Sequence, residues 1–150
     1  METQPPQIPI EKTPNSRLRE LDRDEIPFGK IFGDHMLTAT YAEGKWRDVK
    51  IVPYGPLELS PASSALHYGQ AIFEGMKAYY AGPGTINLFR LDDHHERLNN
   101  SALRLCMPEL NYNSFIRGLE ELIKLDYQWV PKTFGHALYL RPFMFASEHY

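Results

Sequence analysis

The order of strand and helix signals predicts an α+β fold, a mainly antiparallel sheet packed with helices. Three observations carry this. Two pairs of β-forming runs flank Gly-containing turns, at residues 36–54 and 75–90. Two stretches with apolar residues at helical spacing follow, at 92–104 and 114–123. A last run, 137–146, alternates as a strand. Strands, then helices, then a strand is the order of an α+β chain. The composition agrees: 150 residues with 43% hydrophobic and 13% aromatic content suffice for a core, so a disordered chain is excluded.

Taken in order, Pro5, Pro6, Pro9 and Pro14 remove backbone donors near the start. Residues 1–26 are therefore expected to be a flexible, Pro-rich segment, with at most a turn or two of helix in the charge-dense stretch from Arg17 to Glu25. Packed structure is expected from Pro27 and Phe28 onward, with 27–150 as one domain. Met36 to Ala42 and Trp46 to Tyr54 form a hairpin around Glu43-Gly44-Lys45. Gly75 to Tyr80 and Thr85 to Arg90 form a second around Ala81-Gly82-Pro83-Gly84. Asp92 is the expected N-cap of a helix to Arg104 carrying Leu98, Ala102 and Leu105 on one face. Pro108 ends that unit. Asn113 or Ser114 is expected to cap the next helix, with Phe115, Ile116, Leu119, Leu122 and Ile123 on one face, closed by Trp129-Val130-Pro131. In the strand from Ala137 to Ala146, Tyr139, Arg141, Phe143 and Phe145 share a face, and Pro142 marks an edge or irregularity.

Charge and cysteine use narrow the function. A net charge of -3 lacks the basic footprint of a nucleic-acid binder. Cys106 stands alone, so no internal disulfide can form; it is expected as a buried structural thiol. No apolar run is long enough to span a membrane. The first residues fit neither a signal peptide nor, with Glu2 and Glu11, an acid-poor transit peptide, so the expected location is the cytoplasm. His94 and His95 point about 100° apart on a helix and cannot readily share one ion, so no metal site is expected.

Three places can carry chemistry. Tyr139 and Arg141, two apart on one face, suit a carboxylate through a phenol O–H and a guanidinium fork; from the pattern alone, an arginine at the rim of a partly exposed edge strand is the commoner case. Tyr68-Gly69-Gln70-Ala71-Ile72-Phe73-Glu74-Gly75 sets aromatics between glycines that permit close backbone approach; Tyr68 and Phe73 either line a pocket or fill a core. Arg97 either binds a phosphate or belongs to a solvated helix face with Glu96.

The stretch from Pro61 to Tyr79, with its Leu66-His67-Tyr68 and Phe73-Glu74-Gly75-Met76-Lys77 blocks, closely resembles branched-chain amino acid aminotransferases, which are fold type IV pyridoxal-phosphate enzymes. The resemblance continues, in order, through Phe28-Gly29, Asp34-His35-Met36, Leu88-Phe89-Arg90, Arg97-Leu98, Arg104-Leu105-Cys106-Met107-Pro108, Trp129-Val130-Pro131 and Leu138-Tyr139-Leu140-Arg141-Pro142. It implies the N-terminal small domain of that fold. It implies that Arg97 holds the phosphate of pyridoxal 5'-phosphate. It implies that Tyr68, Phe73, Gly75, Tyr139 and Arg141 bind substrate, with Tyr68 reaching the site of a neighbouring subunit in a homodimer. The implied reaction passes the amino group of leucine, isoleucine or valine to 2-oxoglutarate, giving 2-oxo acids and glutamate. One pocket must take both an aliphatic side chain and a distal carboxylate, which explains aromatics mixed with an arginine.

The lysine that such a reaction needs in Schiff-base linkage lies, in the family, in a C-terminal domain. None of Lys12, Lys30, Lys45, Lys50, Lys77, Lys124 or Lys132 matches it, so no catalytic residue is expected in this chain and no transamination by it alone. Two other readings stand beside this one. The chain is a stand-alone, non-catalytic binding or oligomerisation module, or it comes from a D-amino acid aminotransferase or aminodeoxychorismate lyase of the same fold.

Overall fold

A computed structural model describes residues 7–22 and 26–148. The chain divides into two compact units, Met1–Gly55 with Ile116–Trp129, and Pro56–Phe115 with Val130–Tyr150. Among the described residues every named strand pairing is antiparallel and helices accompany the strands, as the α+β expectation requires.

In the first unit β1 (His35–Ala42) and β2 (Lys45–Pro53) form the expected hairpin. Its turn residues Glu43 and Gly44 both have positive φ, 52° and 76°, the geometry that matches strand twist in a two-residue turn. Asp48, φ 53°, is the extra residue of a bulge where the register shifts between Thr38 and Thr40. Ordered contacts begin before Pro27. Ile51 N donates to Pro9 O and Glu11 N to Ile51 O, so an extended segment lies along β2. Arg17–Glu20 forms a short 3₁₀ turn capped by Ser16, and residues 23–25 of the same charge-dense stretch lie outside the described residues.

A buried polar cluster ties this unit together. Asp34 accepts from Ser16 Oγ at 2.6 Å, Arg17 N at 3.0 Å and Trp129 Nε1 at 3.0 Å. Burial pushes the Asp34 carboxyl up, but the Ser16, Arg17 and Trp129 hydrogen bonds outweigh it and hold the group below its ordinary value. His35 Nε2 accepts from Thr13 N at 3.0 Å, so Nδ1 carries the proton and donates to Asp126 at 2.6 Å. Leu119 and Ile123 of α3 (Tyr112–Leu125) are buried, and Gly118 admits Leu37, whose Cδ2 lies 2.5 Å from where a Cβ would stand.

The second unit holds α1 (Ser64–Tyr68), β3 (Ala71–Phe73), β4 (Met76–Gly82), β5 (Thr85–Leu88), α2 (Leu91–Arg104), β6 (Leu138–Leu140) and β7 (Phe143–Phe145). The second hairpin is β4–β5, and β4 is central in the order β5-β4-β6. Leu98 and Ala102 of α2 are buried, as are Met76, Ala78 and Val130 of the same unit.

Four local expectations are corrected. Asp92 is not the N-cap: Arg90, in a left-handed conformation, opens α2, and Asp92 sits in the first turn accepting from Tyr112 Oη. Asn111, not Asn113 or Ser114, caps α3, its Oδ1 accepting from Ser114 N at 3.1 Å. Cys106 is exposed rather than buried, because it turns with φ 53° after α2. The run from Ala137 to Ala146 is two strands, not one. β6 pairs with β4 and β7 with β3, because Pro142 has no N–H to continue the ladder.

Asp34→Ala strands three donors and is expected to lower unfolding free energy by about 1–3 kcal/mol in urea denaturation.

Candidate active site

The break between β6 and β7 faces a matching break between β3 and β4. Phe73 pairs with Phe143 on one side of it and Met76 with Leu140 on the other. The register is the same on both sides, so one antiparallel ladder is interrupted by Glu74 and Gly75 opposite Arg141 and Pro142. The two ends stay joined, because Glu74 N donates to Pro142 O at 2.9 Å. Side chains that would otherwise alternate across a continuous ladder are released here, and four of the residues expected at the site meet at this place.

Arg141 Cζ lies 4.5 Å from the centroid of the Phe73 ring and 5.2 Å from that of Tyr139. Its Nη2 donates to Tyr139 Oη at 3.0 Å. Gly75 is where the chain needs a glycine. A Cβ there would overlap the Tyr139 hydroxyl and stand 2.7 Å from Cζ, so the hydroxyl end of the phenol abuts bare backbone. Phe73, Gly75, Tyr139 and Arg141 therefore form one cluster of ring faces with a cation among them. A cavity of about 190 Å³ adjoins it, lined in part by Gly75, Lys77, His94 and Tyr139. The extended face expected for Tyr139, Arg141, Phe143 and Phe145 divides at Pro142: Tyr139 and Arg141 touch each other, and Phe143 and Phe145 stack with centroids 6.0 Å apart.

Arg97 is reached through Glu74. Its Nε donates to Glu74 Oε2 and its Nη2 to Glu74 Oε1, each at 2.5 Å. The Glu74 side chain is 7% exposed and that of Arg97 66%. The Arg97 hydrogen bonds, helped by the N–H of Gly75 at 2.6 Å and by His94, hold the Glu74 carboxyl down at about 2 against the opposing effect of burial. Glu74 is thus an anion at any pH near neutrality. The arginine expected to bind a phosphate is committed along one edge to an internal acid, and its remaining surface is open to solvent. The second histidine of the pair, His95, turns to Leu110 O at 2.7 Å and has a structural role. Among the described residues no group of His, Cys, Asp and Glu can hold a metal ion.

Tyr68 closes α1 with its side chain largely exposed, its ring 6.3 Å from that of His67. The residue that sequence reasoning missed is Glu74. It was legible as a charge inside an apolar run, Ala71-Ile72-Phe73-Glu74-Gly75-Met76, which a fold accepts only with a partner. The partner itself, 23 residues on, leaves no local pattern. Gly75→Ala must push Tyr139 off the backbone and break its bond to Arg141; a stability loss of about 1–3 kcal/mol is expected by urea denaturation, with loss of that contact in the variant's structure.

No family model matches the chain. It is 50% identical over 128 residues to a probable branched-chain-amino-acid aminotransferase of Staphylococcus aureus (strain MRSA252), covering 85% of this chain and 36% of that protein. It is 49% identical over 132 residues to the branched-chain-amino-acid aminotransferase of Mycobacterium tuberculosis (strain H37Rv), covering 87% of this chain and 36% of that one. The chain thus spans about a third of the length of the curated relatives it matches. Among solved structures it is similar to the branched-chain aminotransferase of Thermoproteus uzoniensis with norvaline, with TM-score 0.54 and 25% identity over 77% of this chain and 35% of that one. It is also similar to the T.th. branched-chain amino acid aminotransferase complexed with N-(5'-phosphopyridoxyl)-L-glutamate, with TM-score 0.53 and 29% identity over 65% of this chain and 31% of that one. In sequence and in fold, the chain resembles branched-chain-amino-acid aminotransferases over the third of their length that it spans.

Proposed function

We propose that this chain supplies the cofactor-phosphate and substrate contacts of a pyridoxal-phosphate-dependent branched-chain-amino-acid transaminase, residues 27–150 being its N-terminal small domain. The observation that carries this reading is the identity of about half of all residues to curated aminotransferases across 85% of the chain.

The donor set at the ladder break fits such ligands. Arg97 offers an outward-facing guanidinium to a phosphate dianion, for which a planar, permanently charged fork is suited. Phe73, the bare backbone at Gly75 and the ring of Tyr139 form an apolar wall for a branched side chain. Arg141, resting over the Phe73 face, supplies a cation for the distal carboxylate of glutamate or 2-oxoglutarate, and the ring shelters that charge while an aliphatic substrate is present. Tyr139 Oη steers the same guanidinium. Pyridoxal 5'-phosphate, when bound, supplies the electron sink that amino-group transfer requires. The covalent lysine belongs, on this reading, to the part of the relatives that this chain does not span. Tyr68, exposed at the end of α1, serves the site of the second subunit of a homodimer. Among the described residues no helix is long and apolar enough to cross a membrane, and we place the enzyme in the cytoplasm.

The protein from the complete reading frame, given pyridoxal phosphate, is expected to turn over leucine, isoleucine and valine with 2-oxoglutarate, and the 150-residue chain alone is not. Arg141→Ala is expected to raise KM for 2-oxoglutarate roughly 10-fold or more, as loss of a charge-assisted contact does. Preference for D-alanine or aminodeoxychorismate over leucine contradicts the assignment, and so does steady turnover by the short chain.

A further inference from the structure

We propose that Glu74 is the positioning residue of the cofactor site, holding the Arg97 guanidinium in one plane so that its Nη1 edge meets the phosphate while Glu74 keeps Nε and Nη2. The proposal rests on the reading of Arg97 as the phosphate contact.

The two partners need each other unequally. Arg97 is largely exposed on α2 and can be solvated without help, whereas the Glu74 carboxylate is buried at the gap between the two ladders, two residues from the buried Ile72 and Met76. A buried acid at that place is costly unless paired, so its presence is explained by what it does to its partner. A guanidinium is a rigid planar fork. Fixing Nε and Nη2 on Oε2 and Oε1 fixes the plane, and with it the directions of the remaining N–H groups. An unpaired arginine on a helix surface samples many rotamers, and this one is confined before any ligand arrives.

The backbone of the same residue extends the effect. Glu74 N donates to Pro142 O, next to Arg141, and Glu74 Oε1 accepts from Gly75 N. One residue thus ties the arginine assigned to phosphate, the bare backbone under Tyr139 and the turn that carries Arg141. His94 completes the arrangement, its Nδ1 3.2 Å from Arg97 Nη2 and 3.5 Å from Glu74 Oε1. Because the pair is neutral as a unit, Arg97 recognises phosphate by direction rather than by excess charge.

The test is a double-mutant cycle in the protein from the complete reading frame, titrating pyridoxal 5'-phosphate and, as the probe without a phosphate, pyridoxal, with cofactor absorbance as readout. Glu74→Gln and Arg97→Ala are each expected to weaken pyridoxal 5'-phosphate binding roughly 10-fold or more, the effect of one lost charge-assisted contact, with pyridoxal changed less than about twofold. The double variant is expected to bind no worse than Arg97→Ala, since both act through one contact. Equal losses for both probes, additive losses, or tighter binding in Glu74→Gln overturn the proposal. If Arg97→Ala leaves the phosphate preference intact, the underlying reading of Arg97 fails and the proposal falls with it. Should Glu74→Gln not fold, the wild-type protein decides. The ¹⁵N-detected Nε–H of Arg97, assigned with Arg97→Lys, is expected to keep its position and slow exchange when the cofactor is added. A large shift and fast exchange, as Arg97 leaves Glu74 for phosphate, overturn the proposal.

Discussion

A carboxylate buried at a break in an antiparallel ladder must be paired, and the arrangement around that break follows from how Glu74 meets the demand. Proline at 142 cannot donate, so the β3–β7 and β4–β6 ladders cannot be one continuous pairing although their register agrees. Glu74 and Gly75 occupy the gap. The glutamate takes its compensation from α2, through Arg97, and this contact links the helix to the interrupted strands. The glycine admits the Tyr139 ring where any side chain would collide. An irregularity that would weaken a purely structural sheet here gathers the side chains capable of chemistry.

The two arginines at this place differ in what holds them. Arg97 is tied to an acid along one edge, which confines its orientation and leaves the pair as a whole with little net charge. Arg141 rests on aromatic faces and one phenol, contacts that are weaker and easily exchanged for a carboxylate. The first arrangement suits a group that stays, and the second suits substrates that alternate between an aliphatic and an acidic side chain. The buried Asp34 and Asp126 clusters have no such openness. Each is satisfied by backbone, indole, hydroxyl or imidazole donors within its own unit, and their function is to hold residues 13–17, β1 and the Asp126–Trp129 turn together.

The hairpins were legible because local chemistry marks them: glycine at the turn, Gly44 with φ 76°, takes positive φ without strain, and the flanking runs are β-forming. Helix faces were legible through Leu98, Ala102, Phe115, Leu119 and Ile123, whose spacing matches their burial, but Leu105, expected on the same face as Leu98 and Ala102, is exposed because it follows the last turn of α2 as its cap. Helix starts were less so, because Arg90 opens α2 from a left-handed conformation that composition does not announce. Residues 137–146 looked like one strand because alternation continues across Arg141 and Pro142, and only the pairing partners divide it. For the site, Phe73, Gly75, Tyr139 and Arg141 were identified by resemblance and meet in space. The Glu74–Arg97 pair was hidden, since an ion pair between a strand end and a later helix follows no period.

The central claim is that the ladder break is the binding half of a cofactor site, organised by an internal acid. A crystal structure of the complete protein with pyridoxal 5'-phosphate and a branched-chain 2-oxo acid tests it most directly. The account predicts Arg97 within hydrogen-bond distance of the phosphate while still bound to Glu74, with Phe73, Tyr139 and Arg141 around the substrate side chain. A phosphate held elsewhere, with Arg97 remote from it or released from Glu74, would contradict the account.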